Sequence, residues 1–288
     1  MTSPLLRFIT TVRYRFFLLA GLIPYFLGFS ISYWQQHKVN IFTFILGLIG
    51  IVLMVTGVET YNEYFDPADR VFMLDEKKKP SISIFILGTA SFVIAISLAI
   101  YLSLLYSFII LYIVLAGTFF AVFYVGPPLR LAFRGLGELS IFLSYGPLMT
   151  LGSYYLQTFH LSIAPILVSL VPGFIVVAIA VANEIPDYYQ DLLSGKRDIA
   201  VRVGTKNAVV FYAMFASLSL IILIINSLLK IAPLVSLIGL ITAPLIYSSV
   251  RTGYKYHEKP KLFIPAIRNL AISYLMVSFI LILTFLFS

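Results

Sequence analysis

The chain alternates between long apolar runs and short charged ones. Nothing charged falls between 80 and 129, or between 139 and 183. A helix needs about 20 mostly apolar residues to cross a bilayer, so each of those windows holds two crossings and a tight turn. The same measure predicts nine helices, over 16–34, 40–60, 82–103, 107–125, 138–157, 161–183, 208–229, 232–250 and 269–287. The runs are continuous rather than alternating, which argues against a membrane β-barrel. The first run is long and lacks a small-residue cleavage site, so no cleaved leader is expected. The expectation is an all-α integral membrane protein, a single transmembrane domain over 1–288.

Composition sharpens this. Of the 288 residues, 60% are apolar and 11% charged, and the mean hydropathy is +1.00. Soluble domains are about one-quarter charged, and a soluble fold of this length could not hide so much apolar surface. A water-soluble enzyme, a nucleic-acid binder and a disordered chain are thereby excluded. The sequence has no cysteine, which removes disulfides, thiol catalysis and thiolate-held metals. Its three histidines, His37, His160 and His257, are too scattered to suggest a zinc site.

The net charge of +8 reports orientation. If the N-terminus and the loops after the second, fourth, sixth and eighth helices lie on one side, 18 of the 20 Lys and Arg fall there. Only Lys38 and Lys230 fall on the other. Lys and Arg favour the cytoplasmic side, so the N-terminus and those loops are expected there, with the protein in the cell membrane. All twelve acids lie on that same side, although acids obey no strong topology rule. Loop solvation and pairing with nearby bases is one explanation. The grouping of the acids favours another.

Most of them form two clusters, over 59–70 and 183–191. The first contains Asn62-Glu63-Tyr64-Phe65-Asp66, then Asp69 and Arg70. The second contains Asn183-Glu184-Ile185-Pro186-Asp187, then Asp191. Both read Asn-Glu-x-x-Asp, 121 residues apart, which suggests an internal duplication. On a helix, positions three and four apart share a face. Asn62, Asp66 and Asp69 can line one face, and Asn183, Asp187 and Asp191 another. Pro67 fits a helix end, and Pro186 a bend before Asp187. Two carboxylate faces repel unless a cation lies between them. Hard oxygen ligands suit Mg²⁺, which pairs one or two carboxylates with substrate phosphates. The neighbouring bases Arg70, Lys77, Lys78, Lys79, Arg130, Arg134, Lys196 and Arg197 complete a polyphosphate site. The run 75–80 also suits a solvated loop, 251–261 a loop touching anionic lipid, and Glu138 either a helix end or the pocket.

These clusters resemble the two Asp-rich motifs, NDxxDxxxD and DxxxD, of the UbiA superfamily of intramembrane prenyltransferases. Further segments are similar to its dihydroxynaphthoate polyprenyltransferase branch: Tyr124-Val125-Gly126-Pro127-Pro128-Leu129, Arg134-Gly135-Leu136-Gly137-Glu138, 142–158, and 183–204 with its Gly195-Lys196-Arg197. Arg13, Pro24 and Gly28 match more loosely, and the similarity spans most of 13–206. There are departures. Glu63 replaces an Asp, Arg70 stands at the third Asp with Asp69 one residue early, and Lys79-Pro80 replaces Arg-Pro. Glu59 stands where a polar amide is common. Pro128 stands at the lysine of a Tyr-x-x-x-Lys element that begins at Tyr124, so Arg130 is a candidate for that lysine's role.

The resemblance implies a nine-helix bundle with a central cavity and Mg²⁺-dependent transfer of a polyprenyl group from its diphosphate to an aromatic acceptor. The acceptor implied is 1,4-dihydroxy-2-naphthoate, on the route to menaquinone. It implies Asp66, Asp187 and Asp191, with Asn62, Asn183 and Asp69, as the Mg²⁺ set. Arg70, Lys78, Lys196 and Arg197 would add charge to the leaving diphosphate. Tyr124 would face the allylic cation, and Arg13 or Arg134 would orient the acceptor carboxylate. Another acceptor (hydroxybenzoate, homogentisate, a glycerol phosphate lipid, a carotenoid or haem) is the alternative within the class. A transporter with acids near the bilayer midplane, and a homologue that has lost catalysis, are the alternatives outside it.

Overall fold

The computed structural model describes residues 12–66 and 81–288, with side chains from Leu19 onward. Among the described residues all regular structure is helical. In chain order α1 is Val12–Gln36, α2 Ile41–Phe65, α3 Ile82–Leu105, α4 Ile109–Phe123, α5 Gly137–Leu143 and α6 Met149–Thr158. Then follow α7 Ile163–Ser194, α8 Ile199–Val203, α9 Thr205–Leu228, α10 Ala243–Tyr256 and α11 Pro260–Phe287. Each expected apolar run is helical. Six stretches are long and apolar enough to cross a membrane: α2, α3, α7, α9, the run Leu234–Tyr256 and α11. The other expected crossings fall on α1, on α4 and on the broken pair α5–α6. At 15 residues, α4 is about 22 Å long, shorter than the roughly 30 Å hydrocarbon core.

The helices begin and end where local chemistry dictates. Asn40, Ser81, Ser162 and Asp198 cap α2, α3, α7 and α8 by accepting a backbone N–H of the first turn, as short polar side chains do. Gly195, at φ 82°, closes α7 in the left-handed conformation that glycine adopts without penalty. Two helices outrun their charge-free windows. The second ends at Phe65 and α7 at Ser194, so both acidic segments ride on the ends of long helices. The backbone carries on because its hydrogen bonds do not end where lipid ends. The expected crossing at 138–157 is interrupted instead. Pro147 lies in a π-helical turn, Ser144–Leu148, which accommodates a residue that cannot donate to the ladder.

Packing divides the bundle. Helices α1, α7, α9, α10 and α11 pack on one another around the main core, centred on Ile175, Val181, Tyr212, Leu270 and Tyr274. Helices α2 to α6 pack in sequence, and α6 returns to α1. Lipid supplies no hydrophobic drive for helix pairing, so close backbone approach and buried hydrogen bonds do the work. Ser153 Oγ donates to the Tyr25 carbonyl at 2.5 Å, Ser219 Oγ to Val171 at 2.7 Å and Tyr274 OH to Ala20 at 3.0 Å. The outward surface is apolar, as at Leu104 (71% exposed). These features make it a multi-pass membrane protein.

Gly28 marks the tightest approach of α1 to α6. A Cβ there would collide with the Thr150 carbonyl oxygen and lie 2.9 Å from Ser153 Cβ. Gly28→Leu is expected to lower the melting temperature in detergent, with a loss of about 1–3 kcal/mol from overpacking. An unchanged melting curve would show that α1 and α6 do not pack this closely.

Candidate functional site

The two acidic segments meet at one lysine. Asp66 follows the last residue of α2 and is buried, and Asp191 is buried in the last turn of α7. Lys196 Nζ lies 2.8 Å from Asp66 Oδ2 and 3.1 Å from Asp191 Oδ1. The local sequence explains how it arrives there. The Gly195 turn reverses the chain, and the Lys196 N–H donates to the Asp191 carbonyl at 3.0 Å. Burial works against the Lys196 charge, but the Asp66 and Asp191 carboxylates outweigh it and hold its pKa above the ordinary lysine value.

Beside this cluster lies an apolar cavity of about 190 Å³ between α1, α2, α3, α4 and the α5–α6 pair. Tyr25, Ile51, Met54, Phe120 and Met149 are among its lining residues, and Glu59, Asn62, Ser140 and Ser144 add polar groups. Asn62 is one helical turn before Asp66, and its buried Oδ1 has no hydrogen-bond partner among the described residues. A smaller polar cavity of about 50 Å³ is lined by Glu138, Glu184, Asp191, Lys196 and Asp198. Tyr124, at the end of α4, lines both.

The other expected residues are distributed as follows. Asn183 and Asp187 are exposed, two turns and one turn before Asp191. The helical register keeps these three near one side of α7, but burial separates Asp191 from the other two. Arg197 is exposed, and its N–H donates to the Ala132 carbonyl at 3.4 Å, tying its loop to the Leu131–Arg134 turn. Arg130 is exposed with its guanidinium 4.9 Å from the centre of the Phe133 ring. Arg134 is exposed and donates to the Pro128 carbonyl at 3.3 Å. The Arg13 side chain, and Asp69, Arg70 and Lys78, lie outside the described residues.

Three acids outside the expected metal set share a different task. Glu138 Oε1 accepts the Ile199 N–H at 2.6 Å, Glu184 Oε2 the Ala200 N–H at 3.3 Å and Asp198 Oδ1 the Val201 N–H at 2.8 Å. Together they satisfy the donors that open α8. Arg202 Nη2, 3.8 Å from Glu138 Oε1, adds charge at that end. Sequence reasoning left Glu138 undecided and gave Asp198 no role. The signal available was Asp198 three residues before Val201, a capping spacing.

The donor set suits a hard cation. Two carboxylates share one positive charge, and an amide oxygen one turn away is unsatisfied. Among the described residues no three His, Cys, Asp or Glu side chains converge as a metal set. Two carboxylates are enough for Mg²⁺ when phosphate oxygens and water fill its other positions. Asp66 and Asp191 also lie at helix ends rather than along their middles, unlike the midplane sites of transporters.

An ionic cluster beside an apolar cavity, within an apolar bundle, suits an amphiphile with a charged head, and so a membrane-embedded protein that binds lipid-like molecules. Within that class the chain belongs to the UbiA prenyltransferase family, whose model matches residues 21–272. It is 29% identical to a 1,4-dihydroxy-2-naphthoate octaprenyltransferase of Bacillus subtilis, over 68% of this chain and 66% of that protein, just under two-thirds of its length. It is 25% identical to a 2-carboxy-1,4-naphthoquinone phytyltransferase of Synechocystis, over 84% and 80% of the two chains. The fold matches the apo structure of a UbiA homologue from Aeropyrum pernix with a TM-score of 0.73, at 14% identity, covering 95% of this chain and 99% of that one. It also matches a UbiA homologue from Archaeoglobus fulgidus bound to DMAPP and Mg²⁺, with a TM-score of 0.58, at 14% identity over 93% and 98%.

The Asp198 carboxyl carries a pH dependence. Burial pushes its pKa up to about 7, the Val201 N–H opposes this, and the nearby Asp191 and Glu138 add to the rise. The folded group therefore binds its proton more tightly than the unfolded one. Its contribution to stability is full at low pH and is lost as pH rises from the ordinary value of 3.8 to about 7. Asp198→Asn keeps a capping oxygen, so it is expected to raise the melting temperature more at pH 8 than at pH 5. An equal effect at both would show that the carboxyl is ionised throughout.

Proposed function

We infer that this protein transfers a polyprenyl group from its diphosphate to an aromatic acceptor, and that the acceptor is 1,4-dihydroxy-2-naphthoate in menaquinone biosynthesis. The observation that carries this reading is the meeting of Asp66 and Asp191 at Lys196 beside the apolar cavity. The naphthoate assignment is supported by the Bacillus and Synechocystis relatives, both named for naphthoate-derived acceptors. The protein sits in the cell membrane with nine crossings, its N-terminus and ionic site on the cytoplasmic side.

The chemistry separates along the site. The allylic C–O bond breaks and its electron pair leaves with the diphosphate; the electron-rich ring carbon then supplies the pair for the new C–C bond. The ring regains aromaticity by losing its carboxylate as CO₂. Mg²⁺ bound with the substrate would neutralise charge developing on the diphosphate. Asp66, Asp187 and Asp191, with Asn62, Asn183 and Asp69, would hold it. Lys196 and Arg197 would add positive charge to the leaving diphosphate, a role the sequence also offers to Arg70 and Lys78. The cavity takes the apolar tail and keeps water from the allylic centre. Tyr124, which lines both cavities, would offer its ring to the cationic carbon. Arg13 or Arg134 would orient the acceptor carboxylate, and Arg130 would take the role of the lysine missing at Pro128.

The test is an assay in membranes with a series of prenyl diphosphates, Mg²⁺ and a panel of acceptors. A prenylated naphthoate is expected by mass, reduced at least roughly 100-fold, the cost of losing one group that stabilises leaving-group charge, in both Asp66→Ala and Asp191→Ala. Product on a different acceptor would overturn the naphthoate assignment. No diphosphate release from folded protein would overturn prenyl transfer itself.

The cavity walls predict a second outcome. Gly50 and Gly117 both line the cavity, and a Cβ at either meets nothing within 4 Å. Gly50→Leu and Gly117→Leu are expected to fold and to shorten the longest prenyl diphosphate the enzyme accepts, read from product masses across the series. An unchanged length profile would place the tail elsewhere.

A further inference from the structure

Lys196 occupies the place that a divalent cation needs. Its ammonium touches one carboxylate from each acidic segment, at 2.8 and 3.1 Å, and its side chain is 16% exposed. A lysine ammonium and a metal ion cannot share the same carboxylate oxygens, because both are cations and would be driven together at short range in a partly dry site. The backbone at this point is held on both sides. The Lys196 N–H donates to the Asp191 carbonyl at 3.0 Å and the Arg197 N–H to the Ala132 carbonyl at 3.4 Å. Any exchange is therefore a movement of the lysine side chain. Four single bonds and a compact ammonium suit lysine to that movement better than the planar fork of arginine.

We propose that Lys196 is the resident counter-ion of the substrate-free site, that it competes with the divalent cation for Asp66 and Asp191, and that loading transfers its ammonium from these carboxylates to the substrate diphosphate. The exchange conserves pairing. Without substrate, one ammonium keeps two carboxylates from repelling each other. With metal and diphosphate bound, the carboxylates hold the metal and the released ammonium finds phosphate oxygens. Neither state leaves a charge buried alone, which would be the costly outcome. This inference rests on the reading of the site as a metal-diphosphate site.

The experiment measures metal binding to the full chain without substrate. Mn²⁺ is titrated by its electron paramagnetic resonance signal into wild type, Lys196→Met, Lys196→Gln and Lys196→Arg in detergent. Removing a competing charge is expected to lower the half-saturating metal concentration in the Met and Gln variants by roughly tenfold, the equivalent of one charge-assisted contact. The Arg variant is expected to bind no more tightly than wild type. The Met variant is also expected to lose thermal stability in EDTA and to regain it with Mg²⁺. A lysine with a merely structural role gives the opposite: removing it weakens metal binding, and Mg²⁺ restores nothing. Weaker or unchanged binding overturns the proposal.

A measurement on wild type is independent of whether the variants fold. Acetylation of Lys196 by acetic anhydride, followed by mass spectrometry, is expected to rise when Mg²⁺ is added alone and to fall again with inorganic pyrophosphate. No change on adding Mg²⁺ overturns the exchange. Failure of the function would look different. In that case wild type would show the metal and labelling responses but transfer no prenyl group from any diphosphate.

Discussion

Charge is expensive to bury in this bundle, and the fold is arranged around that cost. An isolated ion in a low-dielectric interior loses more hydration than any single contact returns. The buried pair Asp66 and Asp191 accordingly sits at helix ends and takes a shared ammonium. That contact joins the end of α2 to the end of α7. Segments far apart in sequence are thereby held as one site, in a membrane protein where apolar contact alone would not select this arrangement over its neighbours.

The apolar part of the site follows from the same packing rules. Glycine and alanine at Gly50, Ala95, Ala99, Gly117 and Ala121 keep the cavity walls thin. Elsewhere glycine does the opposite: Gly28 lets α1 and α6 touch, and Gly146 and Gly173 bring the π-helical turn onto α7. The turn itself carries Ser144 and Tyr145 to the cavity lining. A crossing that looks like an ordinary apolar run in sequence is thus bent around Pro147 into part of the wall.

Much of this was legible in the sequence because hydropathy and charge act locally. The nine apolar runs, the two acidic clusters and the doubled Asn-Glu-x-x-Asp follow from counting along the chain. The ends of α2 and α7 were not legible, because a helix continues past the lipid boundary as long as its backbone bonds are satisfied. Nor was the position of Lys196, which depends on the turn at Gly195 and on a carboxylate 130 residues away. Arg130 and Arg134, expected near the substrate from their place in the chain, are exposed, one guanidinium over the Phe133 ring and the other at the Pro128 carbonyl. Spacing along a loop does not report which way a guanidinium turns.

The acids near the site divide by what they bond. Glu138, Glu184 and Asp198 each accept a backbone N–H from the first turn of α8. Asp66 and Asp191 share an ammonium on a side chain that can rotate away. A carboxylate committed to a backbone donor cannot release it without opening the helix, whereas one paired with a lysine can change partners at little cost to the fold. The first group lines the small polar cavity it shares with Lys196, and the second remains available to a cation. The proximity of acidic residues in sequence does not make that distinction; the identity of each partner does. The same logic explains why Glu184, although it lies inside the second Asn-Glu-x-x-Asp, bonds the scaffold at Ala200, while Asp191, outside that repeat, pairs with Lys196.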